Sequence, residues 1–530
     1  MDSKEILKFC LEKGLLLDNE VLNLFSEVSD IDSIKLIIEK IQSLTQQRII
    51  TKSTLDNKDQ FNKVFLNLPE KNQKSLEKLK IKLGLSIEIS KEIESNTISD
   101  SGKEQELDEK KNNEYLKEDV EVKILSEIPA STQKIEVKDF VRYFRNRFSM
   151  MRSILQEHPQ LNNLVSINKI SGNKQGISII GIVSNKSVTK NKNIILELED
   201  LTGKIKVLFN NNKKLYEAAG DIALDSVIGV NGSGNREILF ANEVIFPEAL
   251  LLERVKSPYE EYAVFIGDLH FGSKLFLEDN FLRFIDYLNG NLPNTPEVSK
   301  IKYLFIVGDL ISGVGVYPDQ EKDLKIIDLE EQFLGVARLL SKIRKDIKII
   351  ISSGNHYGVR LMEPQPIFDE KYAWPLFNMK NIVLTGNPCT LNIGARKNFS
   401  GFNILTYHGF SFPYYANNVS SLMLKKAMNT PEEIMKYLLK SRHLAPTHSS
   451  VQYFPFEDDY LMVNKIPDIF VAAHTHKSAV SYYNNILIIS TSCWESMTPY
   501  QEKMGNEPDH CKVPLFNLKT RVVKILDFDE

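Results

Sequence analysis

Cysteine is scarce in this chain. Four occur in 530 residues (Cys10, Cys389, Cys493 and Cys511), and no two form a CxxC pair. That excludes a disulfide framework and a thiolate zinc site, and it points to a reducing, cytoplasmic setting. Long apolar runs are missing as well: none approaches the ~18 residues of a membrane span, so no membrane role is expected. The opening MDSKEILKFC carries acids and no apolar stretch, so no secretory signal is expected. Nor is there an excess of charge of one sign, since 66 Lys and Arg stand against 70 Asp and Glu. A wholly basic nucleic-acid coat is therefore excluded, and any contact with nucleic acid must be a local patch.

What is present falls into segments of different character. Residues 1–50 carry apolar positions at helical spacing: Ile6, Leu7, Cys10 and Leu11, then Val21, Leu22, Leu24 and Phe25, then Leu36, Ile37, Ile38 and Ile41. They predict a small helical module. Residues 51–135 read as a largely flexible linker. From residue 88 to 135 there are thirteen acids, seven lysines and one aromatic, too little apolar surface to offset ordering entropy. Residues 136–160 predict an amphipathic helix, DFVRYFRNRFSMMR, in which four arginines interleave with four aromatics. Either its arginines, Arg142 and Arg145 among them, touch phosphates, or the aromatics pack and the arginines are solvated; the spacing of Phe140, Tyr143, Phe144 and Phe148 favours packing.

Residues 161–250 carry short alternating strands with turn signals, such as the hairpin Ile194 to Phe209 across EDLTGK. They predict a small β-barrel, and the turn resembles the hairpin of OB-folds. Residues 251–530 alternate apolar strands with helices, as a layered α/β domain does. Five of those strands end in polar loops: Gly267-Asp268-Leu269-His270, Gly308-Asp309, Gly354-Asn355-His356, Tyr407-His408-Gly409 and His474-Thr475-His476. Five of the nine histidines lie in these loops. Ligand sites of open α/β sheets gather at the carboxyl ends of strands. Carboxylate and imidazole donors without thiolate suit divalent ions such as Mn²⁺, Fe²⁺ or Zn²⁺.

The series DxH, GD, GNH, H and HxH resembles the calcineurin-like, or Mre11-like, metallophosphoesterases over about 250 residues. The resemblance implies two divalent metal ions, Mn²⁺ foremost, with Mg²⁺, Fe²⁺ and Zn²⁺ as alternatives. Asp268, His270, Asp309 and His476 would hold one ion. Asp309, Asn355, His408 and His474 would hold the other, with Asp309 bridging. His356 would be the general acid. Tyr357 and Ala473 depart from the family's usual residues at positions that are not ligands.

Three further stretches, GDLISGVGVYPDQ, LLKSRHLAPTH and STSCWESMTPYQEKMGNEP, narrow the resemblance to the small subunits of archaeal family D DNA polymerases. That family implies a 3′→5′ exonuclease on single-stranded or mispaired DNA ends. It also implies a large catalytic subunit as partner and a primer-template as substrate. A metal-free scaffold subunit and a free phosphoesterase are the competing readings. Lys440, Arg442 and His443 either touch DNA or solvate a helix end.

Overall fold

The computed structural model describes residues 3–13, 15–18, scattered positions between 21 and 50, 122–129, 134–211, 213–357 and 360–529. The chain forms two units, residues 1–113 and 114–530. In the first unit Ser3–Glu12 is helical, as are Val21, Phe25, Ile34 and Ile38. Ile6 and Cys10, Val21 and Phe25, and Ile34 and Ile38 are buried pairs one turn apart, which places one apolar face of each helical segment inward. A short parallel ladder, β1 (Leu16–Leu17) on β2 (Ile49–Ile50), accompanies them. Strands of two residues carry no readable period, so nothing in the sequence marks them.

The second unit opens with β3 (Val122–Ile124) and the helix Val137–Leu155, followed by a barrel of β4 (Lys174–Val188), β5 (Ile194–Asp200), β6 (Gly203–Phe209), β7 (Val227–Gly234) and β8 (Ile238–Ile245). The barrel closes in the order β4-β5-β6-β8-β7. Leu196, Leu198, Val207 and Phe209 alternate inward and are fully buried, as strand periodicity requires. The Asp200 carboxylate accepts from the backbone N–H of Thr202 and Gly203 at 2.7 and 2.9 Å, which fixes the predicted hairpin turn.

The remainder is a sandwich. Its strands are β9 (Tyr262–Gly267), β10 (Ile301–Val307), β11 (Lys348–Ser352), β12 (Ile382–Thr385), β13 (Cys389–Ile393), β14 (Phe402–Tyr407), β15 (Ile469–Ala472), β16 (Ala479–Tyr483), β17 (Ile486–Ser490), β18 (Lys512–Asn517) and β19 (Val523–Asp527). One sheet runs β12-β11-β10-β9-β18-β19 and the other β16-β17-β15-β14-β13-β3. Phe265, Tyr303 and Phe305 of the first meet Leu391, Ile404, Val471 and Ile489 of the second in the central core. Helices Glu278–Leu288 and Leu329–Ser341 cover the first sheet, and Pro431–Ser441 the second. Strands buried on both faces are near-continuous apolar runs, which is why β9, β10, β11, β15 and β17 are evident in the sequence.

β3 corrects the expected linker boundary. It pairs antiparallel with β13 at Leu391↔Ile124 and extends the second sheet by one edge strand, so residues 122–129 belong to the folded unit. Three residues embedded in acidic sequence gain their order from a sheet edge, not from local propensity. The rest of the expected linker, residues 51–121, lies outside the described residues.

The helix Val137–Leu155 joins barrel to sandwich. Phe148, Met151 and Leu155 pack with Ile180, Val227 and Ile245 of the barrel, while Tyr143 enters the sandwich core. Packing by its aromatics is thus what the structure adopts, but its arginines divide. Arg147 is buried, with its Nε 2.6 Å from Asp459 Oδ2 and its Nη1 donating to the Pro446 carbonyl at 2.8 Å. Asp459 also accepts from the Tyr143 hydroxyl at 2.6 Å and the Leu461 N–H at 3.0 Å.

His443 completes that cluster, and this overturns its expected DNA contact. It is buried; its Nε2 donates to Asp459 Oδ2 at 2.9 Å and its Nδ1 accepts from the Ala445 N–H at 3.0 Å. Both nitrogens are committed in the neutral form. Burial, with the Arg147 charge nearby, holds its pKa down to about 4, against the opposing pull of Asp459 and Asp225. Unfolding frees the ring to the ordinary value near 6.5. The stability it contributes is therefore full above about pH 6.5 and is lost as the pH falls toward 4. Thermal melts across that window should show the loss, and His443→Gln should remove that part of the slope.

Candidate metal centre

The five polar loops leave the carboxyl ends of β9, β10, β11, β14 and β15. β9, β10 and β11 are parallel neighbours in one sheet, and β14 and β15 in the other, so all five loops converge at one end of the sandwich. Four of the convergent residues hold left-handed backbone: Asp268 at φ 45°, His270 at 49°, His474 at 70° and His476 at 56°. Such conformations cost on the order of 1–3 kcal/mol each and persist where surroundings fix them. Here the fixing groups are visible. Asp268 accepts the His474 N–H at 2.7 Å, and the Asp268 carbonyl accepts the Trp494 N–H at 3.0 Å. The His270 N–H donates to the Asp309 carbonyl at 3.0 Å. Gly308, at φ 82°, must be glycine: a Cβ there would lie 2.2 Å from His408 Nδ1.

The side chains form two adjoining lobes. In one, His270 Nε2 is 3.2 Å from His476 Nε2, which is 3.8 Å from Asp268 Oδ2. In the other, His408 Nε2 lies 2.6 Å from Asn355 Oδ1, 3.1 Å from His474 Nδ1 and 3.4 Å from Asp309 Oδ2. Asp309 joins the lobes, since it also groups with His270 and His356 within 4.8 Å. All seven side chains expected as ligands are thus brought together, with the carboxylate expected to bridge at the junction.

The electrostatics fit divalent cations. Burial holds His270 down to about 3 and keeps His474 and His476 well below the usual imidazole value, so their lone pairs stay free. Burial, aided by the Asp309 charge, pushes Asp268 up to about 7. Burial also opposes ionisation of Asp309, but His356 and His408 beside it hold it well below the carboxylate range. His408 Nδ1 is buried without a hydrogen-bond partner. Facing imidazole nitrogens, two close carboxylates and no thiol form a donor set that a pair of cations would satisfy.

His356 stands beside this set. Its Nδ1 donates to the Ser312 carbonyl at 2.8 Å, its backbone N–H donates to Asp309 Oδ1 at 3.0 Å, and its Nε2 faces Asp309 Oδ2 at 3.6 Å. The ring is partly exposed, so Nε2 is open to a substrate.

Several supporting groups went unread in the sequence. Tyr357 brackets the Asp309 loop, its hydroxyl donating to the Gly308 carbonyl and accepting from the Leu310 N–H. Asn387 Oδ1 accepts the His408 N–H at 2.7 Å, and the Tyr407 hydroxyl donates to buried Glu363 at 2.9 Å. Gln501 places its amide 2.8 Å from His476 Nδ1. Only Tyr357 carried a signal, its place directly after Gly354-Asn355-His356. Tyr357→Phe leaves the Leu310 N–H and Gly308 carbonyl unpaired; it should lower hydrolysis roughly 10- to 100-fold, as loss of groups behind metal ligands does. Steady-state rates at saturating Mn²⁺ check this.

The remaining basic residues expected near DNA are placed as follows. Arg442 is tied to the Val463 and Asn464 carbonyls at 2.9 and 3.1 Å, and Lys440 lies over the Phe246 ring at 4.2 Å. Both fasten the end of the Pro431–Ser441 helix to its neighbours. Arg142 and Arg145 are exposed; Arg142 pairs with Asp139 at 2.9 Å, and both line a cleft shared with Glu457 and Asp458. The run Tyr453 to Phe456 also packs inward: Tyr453 and Phe454 are buried, and Arg360 lies 4.0 Å over the Phe454 ring.

A two-sheet sandwich with this centre at the strand ends defines a calcineurin-like phosphoesterase. The model of that family, described as Calcineurin-like phosphoesterase, matches residues 263–478, and the OB-fold nucleic acid binding domain matches residues 177–237. The chain belongs to the family of DNA polymerase II small subunits. It is 35% identical to the DNA polymerase II small subunit of Methanothermobacter thermautotrophicus over 399 residues, 74% of this chain and 80% of that one. It is 32% identical to that of Archaeoglobus fulgidus over 428 residues, 80% of this chain and 84% of that one. With the Pyrococcus furiosus protein it shares 37% over 405 residues, 74% of this chain but 64% of that longer one. Among the described residues no helix is long and apolar enough to cross a membrane.

Proposed function

We propose that the chain is the small subunit of an archaeal family D polymerase, removing nucleotides from single-stranded or mispaired 3′ ends while a large partner subunit performs synthesis. The observation that carries this is the complete two-lobed donor set joined by Asp309. A scaffold that had lost catalysis would have no need of seven converging polar side chains, five of them buried and four on left-handed backbone. The barrel and the polymerase-subunit relatives favour DNA over free nucleotides as substrate.

Two bound cations would activate a water and neutralise charge on the attacking and leaving oxygens. The residues would do the rest. Asp268, His270 and His476 would hold one ion, Asn355, His408 and His474 the other, and Asp309 both. Water attacks the terminal phosphorus, and the bond to the 3′ oxygen of the preceding nucleotide breaks. The Ser312 carbonyl holds the His356 Nδ1–H, so the ring would act doubly protonated, passing the Nε2 proton to the departing oxygen and remaining as the neutral Nδ1–H form. The large subunit would dock mainly on the barrel and on the sandwich face away from the strand ends, because the strand-end loops must stay open to a DNA end. The test uses the two-subunit complex on primers with a matched or mispaired 3′ end. The mispaired nucleotide should be released before extension, and a complex that extends mismatches without trimming them would contradict the proposal.

A further inference from the structure

We infer that two loops beside the centre form a stacking platform for the unpaired bases of a DNA 3′ end, with Tyr317 and Tyr500 as its aromatic faces; the inference rests on the exonuclease reading above. Each loop is fastened to a different histidine of the site. The first runs from Ser312 to Gln320. Its Ser312 carbonyl accepts from His356 Nδ1 at 2.8 Å and from the Gln320 amide at 2.9 Å. Gly313, at φ 67°, lies so close that a Cβ would sit 1.6 Å from the His356 carbonyl oxygen. The second loop leads into the short helix Pro499–Met504, whose Gln501 stands 2.8 Å from His476 Nδ1.

Both loops are anchored at the base and apolar at the tip. Val314 and Tyr317 are each 44% exposed, Met497 is 43% and Tyr500 is 69%. The Tyr317 hydroxyl donates to Asp323 at 3.0 Å, which steadies the ring. The second loop is steadied by Thr498, whose hydroxyl accepts the Gln501 N–H at 3.2 Å while the Gln501 side chain accepts the Thr498 N–H at 2.9 Å. Single exposed apolar side chains are ordinary on a protein surface; what sets these four apart is that they stand on two braced loops, each tied to a histidine of the centre. The occupant follows from continuity with the centre: the loops adjoin His356 and His476, and unpaired bases present flat apolar faces. Stacking accepts any base, which suits a site that must remove every nucleotide. A paired end keeps its bases in the duplex stack, so the platform would select frayed or mispaired ends.

The test uses the full chain stripped of metal, with two fluorescent single-stranded oligonucleotides, one ending in ordinary bases and one in two abasic residues. Wild type should bind the first roughly ten-fold tighter than the second, the effect of stacking about one base. Tyr317→Ala and Tyr500→Ala should each shrink that ratio, and Tyr317→Phe and Tyr500→Phe should restore it. With Mn²⁺, the ratio of kcat/KM between the two ends should shrink in the same variants. Equal binding of both ends by wild type, or an unchanged ratio in both alanine variants, overturns the platform. So does protection of residues 312–320 and 497–504 from hydrogen exchange by the large subunit alone, which would make these loops a protein interface. Failure of the exonuclease reading would look different, as wild type would then degrade neither oligonucleotide with any divalent ion.

Discussion

Asp309→Asn should abolish hydrolysis while leaving the fold intact. The substitution keeps one oxygen able to accept the His356 N–H, now 3.0 Å from Asp309 Oδ1, and it removes the charge at the junction of the two lobes. Loss of groups one shell behind a metal costs roughly 10- to 100-fold, so loss of a bridging carboxylate should exceed about 100-fold. Both cations would be weakened together, because one carboxylate serves both. In the metal-free protein the change relieves repulsion with Asp268 but also removes the attraction between Asp309 and the His356 and His408 rings, so the two effects oppose each other and the fold should survive. Single-turnover digestion of an end-labelled oligonucleotide, with calorimetry of Mn²⁺ binding, measures both effects. A variant that keeps wild-type rates at saturating Mn²⁺ would refute the bridging role.

Arg147→Met should have the largest effect on stability. Arg147 and Asp459 are both buried, and their ion pair at 2.6 Å sits where the helix Val137–Leu155 meets the sandwich. Removing the guanidinium leaves the Asp459 charge buried without its cation and takes one of two donors from the Pro446 carbonyl, the other being the Tyr453 hydroxyl at 3.0 Å. Breaking a buried pair on one side costs about 3–5 kcal/mol. Because the same helix packs on the barrel through Phe148 and Met151, barrel and sandwich should also lose cooperativity. Urea denaturation should show a lower midpoint and separated transitions. Pairing the change with Asp459→Asn should recover part of the loss, as no charge is then stranded. A midpoint within error of wild type would show that the pair does not hold the domains together.

The centre was legible in the sequence because its chemistry sits on its most regular elements. Each ligand loop follows a strand buried on both faces, and such strands are plain apolar runs. The barrel was legible from alternation in β5 and β6 and from the turn at Asp200. What failed were features decided by tertiary contact. β3 is three residues long and exists because β13 offers it an edge. Arg147 and His443 are types usually found at the surface, and only the fold reveals the carboxylate of Asp459 waiting for both. Arg442 and Lys440 share that history, since a cation on a helix end looks the same in sequence whether it meets phosphate, a neighbouring carbonyl or an aromatic ring. Glu363 and Asn387 lie in loops and Gln501 in a helix of six residues, none of which carries a readable period, and their part in steadying the centre depends on contacts across 21 to 44 residues of chain.

We propose metal-dependent hydrolysis from the 3′ end with His356 as proton donor. The direct measurement is digestion of one single strand carrying distinct labels at its two ends, in Mn²⁺, by wild type and His356→Ala. Wild type should release the 3′ label at once as a mononucleotide while the 5′-labelled strand shortens through a descending ladder. His356→Ala should bind Mn²⁺ normally and cut slowly, with its rate less impaired on a 3′ leaving group of low pKa. Release of the 5′ label first, cleavage in the interior, or equal rates for the two proteins would contradict the account.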